Sequence, residues 1–460
     1  MTSGKSEQTP NTRTVLKGKD AAKLWHKGIV EWNLWVEENP DADVDFSNFD
    51  FSKLRPLCRD GVLSFANFEF PKGNVSFAFA RFGNGDVDFE NAHFKAGKID
   101  FSGAEFGVGK INFEFTHFEE GEVSFANADF GNGDVIFHCT HFGDGRVSFE
   151  KTKFGDGDIS FFGSQFGTGN IIFTHSVHGK GSIGFIYTQF GSGNLLFNDV
   201  TLKERQLVFK EAQLGEGMYE FRRVFFGLPV NLVDLIDTEK VTQLNFQGSI
   251  FDADVDMGSM SLTQPVNLID TEFNGKLNLD TIDCQLTREP FNPQMQFLLK
   301  AKDNKVHLCF ERLAQLAATH STQEKFEEYK CKQYRSRRWL VDNPAKSTFD
   351  LCFSGIAGYG YDFKRPVITL VASWIIFSLL YFALTFTAHD YCSSATTPIN
   401  ISWSSMVPVV QVASEIREQF SAVCMSKNTR GLLQFFMLLQ GTLALICYGL
   451  LFTAAWRKYR

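Results

Sequence analysis

Residues 85–106 read GDVDFENAHFKAGKIDFSGAEF. Val87 and Ile99 each stand two residues before a phenylalanine, Phe89 and Phe101, and a second phenylalanine, Phe94 and Phe106, follows five residues later. The i, i+2 spacing is that of a strand with one buried face, and the whole pattern returns after twelve residues. Outward from this stretch the register holds from Gly61 to Phe226. One position is aromatic throughout: Phe65, Phe77, Phe89, Phe101, Phe113, Phe125, Phe137, Phe149, Phe161, Phe173, Phe185, Phe197, Phe209 and Phe221. The position five later is Phe from Phe70 to Phe166, then His178, Phe190, Leu202, Leu214 and Phe226. Glycine recurs at Gly73, Gly85, Gly97 and on to Gly193, where a corner needs positive φ or has no room for a Cβ. A module this short cannot bury its aromatic face alone, so identical modules must stack into ladders. The predicted fold is an all-β solenoid with the Phe columns as its core.

After Phe226 the step shortens to eleven residues. Leu244 and Phe246, Val255 and Met257, Val266 and Leu268, and Leu277 and Leu279 repeat the pair, each followed by Phe251, Leu262, Phe273 or Cys284. The same solenoid is predicted to continue over 227–289 with one corner tightened, and 227–243 to form a bulge or loop between the registers. Phe supplies 50 of 460 residues and Gly 38, as a repeat requires. Net charge is -8, and residues 61–200 hold 17 acidic against 9 basic residues, so this stretch accounts for the acidic balance.

The helix-forming Trp32-Asn33-Leu34-Trp35 and the modules FENAHF and FSGAEF resemble the bacterial pentapeptide-repeat family. Phe89 with Ala92, Phe101 with Ala104 and Phe125 with Ala128 match its central residue and the small residue three positions on. The resemblance implies a right-handed quadrilateral β-helix. Here five-residue and seven-residue steps alternate, so a coil of two modules, about 24 residues, is expected; at about 4.8 Å per coil, residues 61–286 would stack to about 45 Å. Residues 21–60 would be a helical cap with the first coils, and 1–20 a disordered N-terminus.

The C-terminal third changes character. Residues 367–386 and 432–455 are uncharged apolar runs long enough to cross about 30 Å of hydrocarbon. Lys364 and Arg365 precede the first, Arg457, Lys458 and Arg460 follow the second, and the connection 389–430 carries only Arg417, Lys427 and Arg430. The positive-inside rule then puts both chain ends in the cytoplasm, at an inner membrane. Residues 290–363 read as a cytoplasmic helical linker. Within it, 302–341 form a helical hairpin, one helix with Leu308, Phe310, Leu313 and Leu316 on its apolar face, the other with Phe326, Tyr329 and Tyr334. Lys330, Lys332, Arg335, Arg337 and Arg338 end this hairpin, and so close to a span they are a candidate cluster for anionic lipid head groups.

The segment from Phe310 to Phe386 resembles the linker by which a bacterial and archaeal group joins pentapeptide repeats to a two-helix, ion-channel-like membrane module. Gly358-Tyr359-Gly360 spells a potassium-filter tripeptide but precedes the first span, and 389–430 contains no glycine, so it is read as a turn and implies no potassium selectivity. SWSSMVPVVQVASEIREQF, in that connection, is a short pore helix or an interfacial one. Gln440 and Thr442 beside Gly441 in the second span, and Ser378, Tyr381 and Thr385 in the first, are candidate pore-lining or helix-packing residues.

Catalytic signatures are lacking: no phosphate loop, dinucleotide fingerprint, nucleophile elbow or HExxH occurs, so no enzyme activity or cofactor is expected. The repeated Gly-x-Gly-Asp lacks the tandem nine-residue frame of calcium repeats and reads as a turn. His138, His141, His175 and His178 lack a regular partner for a metal. Seven of nine cysteines read as small buried hydrophobes; only Cys392 and Cys424 lie between the spans, where an oxidising exterior would pair them. Two functions follow. One is an oligomeric pore assembled or gated by the solenoid; the other is a membrane-tethered scaffold whose solenoid face binds a protein partner. Lipids and further copies of the chain are the expected partners, and nucleic acid is not.

Overall fold

The computed structural model describes residues 13–290, 299–301, 305–338, 344–361, 364–386, 396–406 and 427–458. They form two compact units. The first holds the repeats to Arg288 and the following helices as far as Gln333, and the second holds Glu289–Ala301 and the chain from Tyr334.

The repeats are a long solenoid of short parallel strands. Val75 pairs with Ile99, Ile99 with Val123 and Val123 with Val147, while Val87 pairs with Ile111 and Ile111 with Val135. Each strand thus meets its equivalent 24 residues on, and two twelve-residue modules make one turn. The strands fall into two ten-stranded ladders and shorter five- and six-stranded ones, which isolated bridges such as Gln165 to Gln189 and Glu105 to Asp129 extend. Along every ladder the phenylalanines stack: Phe77 on Phe101 at 4.8 Å and 1°, Phe101 on Phe125 at 5.0 Å, Phe125 on Phe149 at 5.2 Å. Neighbouring columns meet edge to face, as Phe65 does Phe77 at 86°. Such ring pairs add about 0.5–1.5 kcal/mol each beyond the area they bury. His178 stands in a Phe column and stacks on Phe154 at 5.2 Å and 11°.

The glycines mark close approach. A Cβ on Gly97 would lie 1.8 Å from the Gly73 carbonyl oxygen, and one on Gly143 would lie 1.3 Å from that of Glu119. Neither has positive φ, so lack of room decides these positions. Positive φ occurs at Gly85, Gly109 and Gly181 of the corner column, and it also recurs two after each central phenylalanine: Asn67, Asn91 and Asn127 at φ 62°, 52° and 59°, with Gly103 and Gly163 equivalent. Asn and Gly tolerate that region, a signal present in the sequence. Between coils, buried Thr116, Thr140 and Thr152 donate to the carbonyls of Phe89, Phe113 and Phe125 at 2.8, 2.7 and 2.6 Å. At the Gly-x-Gly-Asp corners the Asp86 carboxylate accepts the Lys110 amide, Asp134 that of Asp158, and Asp158 that of Ser182.

The 227–243 stretch is not a loop between registers. Val230–Asn231 is a strand in the ladder, pairing back to Val208 and on to Val255, and Ile236 bridges Gln213. Here the coil lengthens to 25 residues, Phe226 to Phe251, and then shortens to 22, Phe251 to Phe273. Leu232 and Val241 point inward, so the extra residues are absorbed in corners without breaking the core.

Both ends of the stack are covered. Helices α1 (Gly18–Lys27) and α2 (Ile29–Glu38) carry Trp25 and Trp32 onto the first coils; Trp32 stacks on Phe46 and donates to the Glu69 carbonyl at 2.7 Å. At the other end stand α3 (Val306–His320) and α4 (Gln323–Arg337). Phe310, Leu313 and Leu316 are buried but Leu308 is exposed, against the expected face. Arg312 donates to the Leu268 carbonyl, and Lys325 and Tyr329 to that of Ile282. The hairpin therefore closes the last coil as part of the solenoid unit.

The second unit contains α5 (Pro344–Ala357), α6 (Lys364–Phe386), α7 (Thr396–Met406) and α8 (Lys427–Lys458). Two helices, α6 and α8, are long and apolar enough to cross a membrane, over Lys364–Ala383 and Gly431–Thr453. Only 22% and 28% of those windows is buried, which leaves most of each helix facing outward with Ile376, Leu379, Leu438 and Phe452 exposed.

Candidate functional site

Gln440 of α8 and Tyr381 of α6 meet Ser402 of α7 at one buried place. Gln440, fully buried on α8, accepts the Tyr381 hydroxyl of α6 at 3.0 Å and donates through Nε2 to the Ser402 carbonyl and hydroxyl of α7 at 3.1 and 2.8 Å. Ser402 in turn donates to the Trp374 carbonyl on α6 at 2.9 Å. Beside it a Cβ on Gly441 would lie 3.2 Å from the Ser405 carbonyl oxygen, so the missing side chain lets α7 and α8 approach. One buried amide thus ties three helices together.

Of the six predicted residues, Gln440, Gly441 and Tyr381 meet here. Ser378 donates only to the Trp374 carbonyl of its own helix, and Thr442 is exposed and bonds back to Leu439. The side chain of Thr385 lies outside the described residues, as do Cys392 and Cys424. Ser402 is the central partner that sequence reading missed. Its segment was read as a helix from Ser402 onward, whereas α7 runs Thr396–Met406, so the NISWSSM serines face inward.

The depth of α7 follows from its contacts. Ile401 packs with Tyr381, Leu433 and Met437, while Met406 packs with Leu370, Ala444 and Cys447. Between Ile401 and Met406 the helix passes the middle of the Gly431–Thr453 window of α8. The buried Trp374 indole N–H has no hydrogen-bond partner among the described residues.

A second knot lies before α6. Arg338 donates to the Asp350 carboxylate at 2.9 Å, to the Ser354 hydroxyl at 2.7 Å and to the Tyr359 hydroxyl at 2.8 Å, and Tyr359 donates to Asp350 at 2.9 Å. Burial pushes the Tyr359 hydroxyl up to about 12. Gly358, Tyr359 and Gly360 form a tight turn with φ of 50°, 61° and 78°. Three successive left-handed residues account for the two glycines.

These contacts revise the basic cluster. Arg338 is 7% exposed and fully engaged, so it is not a lipid-facing group. Lys332 folds onto the last coil, where it meets the Cys284 carbonyl at 2.6 Å and the Glu328 and Asp283 carboxylates. Lys330 bonds Gln333 at 3.1 Å; Arg335 is half-buried and Arg337 exposed. Charge density alone does not distinguish a solvated run from residues spent on carbonyls and carboxylates.

On the solenoid the histidines align differently from their spacing in sequence. His93, His117 and His141 form one outward column with rings 5.7 and 5.9 Å apart, and His93 sits between Glu69 and Glu119 at 3.3 and 2.6 Å. Among the described residues no three metal-ligating side chains come close enough to share an ion. The cysteines are less buried than their composition suggested: Cys284, Cys309 and Cys447 are buried, Cys58 and Cys331 half-buried, and Cys139 and Cys352 exposed. No known family, curated protein or solved structure matches this chain.

Proposed function

We propose that this is a membrane protein without a catalytic site, in which copies of the chain assemble a pore through α6, α7 and α8. In this reading the solenoid, a right-handed quadrilateral stack of pentapeptide type, lies in the cytoplasm with both chain ends and assembles or gates the pore. The carrying observation is the depth of α7. The eleven described residues of α7 are too few to cross a bilayer, yet they are packed between two helices long enough to do so. In a bilayer so short a helix is accommodated only inside protein or beside a water-filled cavity. The Trp374 N–H, without a partner among the described residues, fits water or another chain at that level.

A scaffold reading has its own support: the amide of Gln440 is used entirely within one chain, and no glycine follows α7 before Gly431 to form a filter. Ion flux from loaded liposomes, measured with the full chain beside its mass in detergent, separates them. Flux from an assembly of at least about three or four subunits supports a pore. Silent liposomes from a folded monomer or dimer would leave only the scaffold.

A further inference from the structure

The left-handed position after the central phenylalanine is filled by Asn67 and Asn91, and then, in the same column, by Phe115, Cys139, Gly163, Tyr187 and Glu211. The column is fixed by the amides of Phe115, Cys139, Gly163 and Tyr187, which donate to the carbonyls of His138, Phe162, Ile186 and Lys210 one coil on. Phe115 and Tyr187 hold φ of 56°, a region where bulky side chains are strained, yet both are exposed, at 46% and 47%. The fold does not require an aromatic there, since asparagine, cysteine, glycine and glutamate hold the same conformation in other coils of the column, although Tyr187 packs on Phe162 and donates to Glu211 at 3.2 Å. Phe79 holds the same conformation in another column, so the backbone alone does not mark the site; what sets Phe115 and Tyr187 apart is that they share one face with exposed Phe162.

These residues form one patch. Phe162, 41% exposed, meets His138 at 5.7 Å and Tyr187 at 5.5 Å, both edge to face, and Ile186 adds to it. The Cys139 sulfur lies 3.3 Å from the place of a Cβ on Gly163. The Phe162 column carries Glu90 and half-buried Glu114 at one end of the patch and Lys210 beyond Ile186 at the other, so its two ends are opposite in charge.

We infer that this patch is a self-complementary docking surface for the solenoid of a second copy of the chain, the two stacks running antiparallel. A two-fold axis across the ladders, midway between the coils of His138 and Phe162, reverses each column upon itself. Phe115 then meets the partner copy at Tyr187, His138 meets it at Phe162, and Glu90 meets it at Lys210. A parallel pairing brings Glu90 close to its own copy and Lys210 likewise, which like charge disfavours. Isologous contacts of this kind close as dimers and do not propagate. The inference concerns the solenoid unit alone and does not depend on the pore reading.

Cys139 lies next to the axis, so the chain carries its own reporter. Full-length protein in detergent, treated with a short bis-maleimide and digested, should yield a peptide linking Cys139 of two chains. Phe162→Glu places a charge at the centre of the patch and should lower that yield about tenfold or more, as loss of a central anchor does. Phe79→Glu, at an exposed phenylalanine in another column, should leave it unchanged and controls for folding. In a Cys139→Ser background, Asn91→Cys chains mixed with Glu211→Cys chains should link to each other. Absence of the Cys139 peptide at every protein concentration, as when this face serves a different protein, would overturn the proposal. Linking of Asn91→Cys to itself would overturn the antiparallel register.

Discussion

The solenoid and the helical unit are stabilised in opposite ways. In the solenoid each residue meets its own equivalent 24 positions before and after, so its column fixes its environment. Phe125 between Phe101 and Phe149 behaves as any member of that column would. In the helical unit the long helices are apolar on nearly every side, and their packing is chosen by a few polar groups with no equivalents, chiefly Gln440 and Ser402. Substitution effects should therefore transfer along the solenoid and be singular in the helices.

The sharpest test of this contrast is Phe125→Asp. A carboxylate in the aromatic stack has no partner, and its burial should cost about 4 kcal/mol or more, seen as early thermal unfolding and protease entry at the neighbouring coils. The same change at Phe113 should behave alike; a wide divergence between the two would break the column rule.

His178→Phe should act in the other direction. Burial holds the imidazole neutral and pushes its pKa down to about 3, with Nδ1 unpartnered. Unfolded, the ring titrates near 6.5. The neutral ring's stability is fully present above pH 6.5 and lost as pH falls toward about 3, by up to about 1.4 kcal/mol per pH unit. The Phe variant should resist acid unfolding over that window, and its advantage in a pH series of denaturation curves should vanish above pH 7. An advantage independent of pH would mean that packing alone differs.

Gln440→Leu removes three hydrogen bonds between helices and leaves Ser402 and Tyr381 buried, which should cost about 1–2 kcal/mol of the packing of α7. Thermal melting in detergent reads that loss, and in liposomes any ion flux should change with it. A smaller effect is expected from Asp86→Lys. The residue is exposed but accepts the Lys110 amide, so its loss should cost about 1 kcal/mol, whereas Glu120→Lys, which is exposed and makes no such bond, should stay within about 0.5 kcal/mol. Equal melting of these two variants would deny the corner bonds a role.

What the sequence disclosed follows the same division. The twelve-residue period identified the buried columns and the strand positions, because repetition writes each environment many times; the coil of two modules was expected only from the family resemblance. The passage through Val230 was harder to read, since a coil of 25 residues occurs once and its corners carry the irregularity. Why glycine recurs needed the structure: contact with the preceding coil's carbonyls at Gly97 and Gly143, and positive φ as well at Gly85 and Gly109. In the helices Gln440, Gly441 and Tyr381 stood out as polar or small residues in apolar runs. Ser402 did not, because serine is unremarkable in a connecting segment until the helix carrying it is seen between two others. Arg338 and Lys332 were misread for a related reason: a cation's partners, Asp350 and the Cys284 carbonyl, lie far away in sequence.

The 24-residue register also bears on how such a chain can change over generations. Duplication or loss of one 24-residue block leaves every remaining strand opposite a residue of its own kind, and a 12-residue block only exchanges two equivalent faces. The length of the stack is thus free to drift without redesign of the core. Only features written once along it, the capping tryptophans, the long coil near Val230 and the aromatic turns from Phe115 to Tyr187, record where each coil now stands.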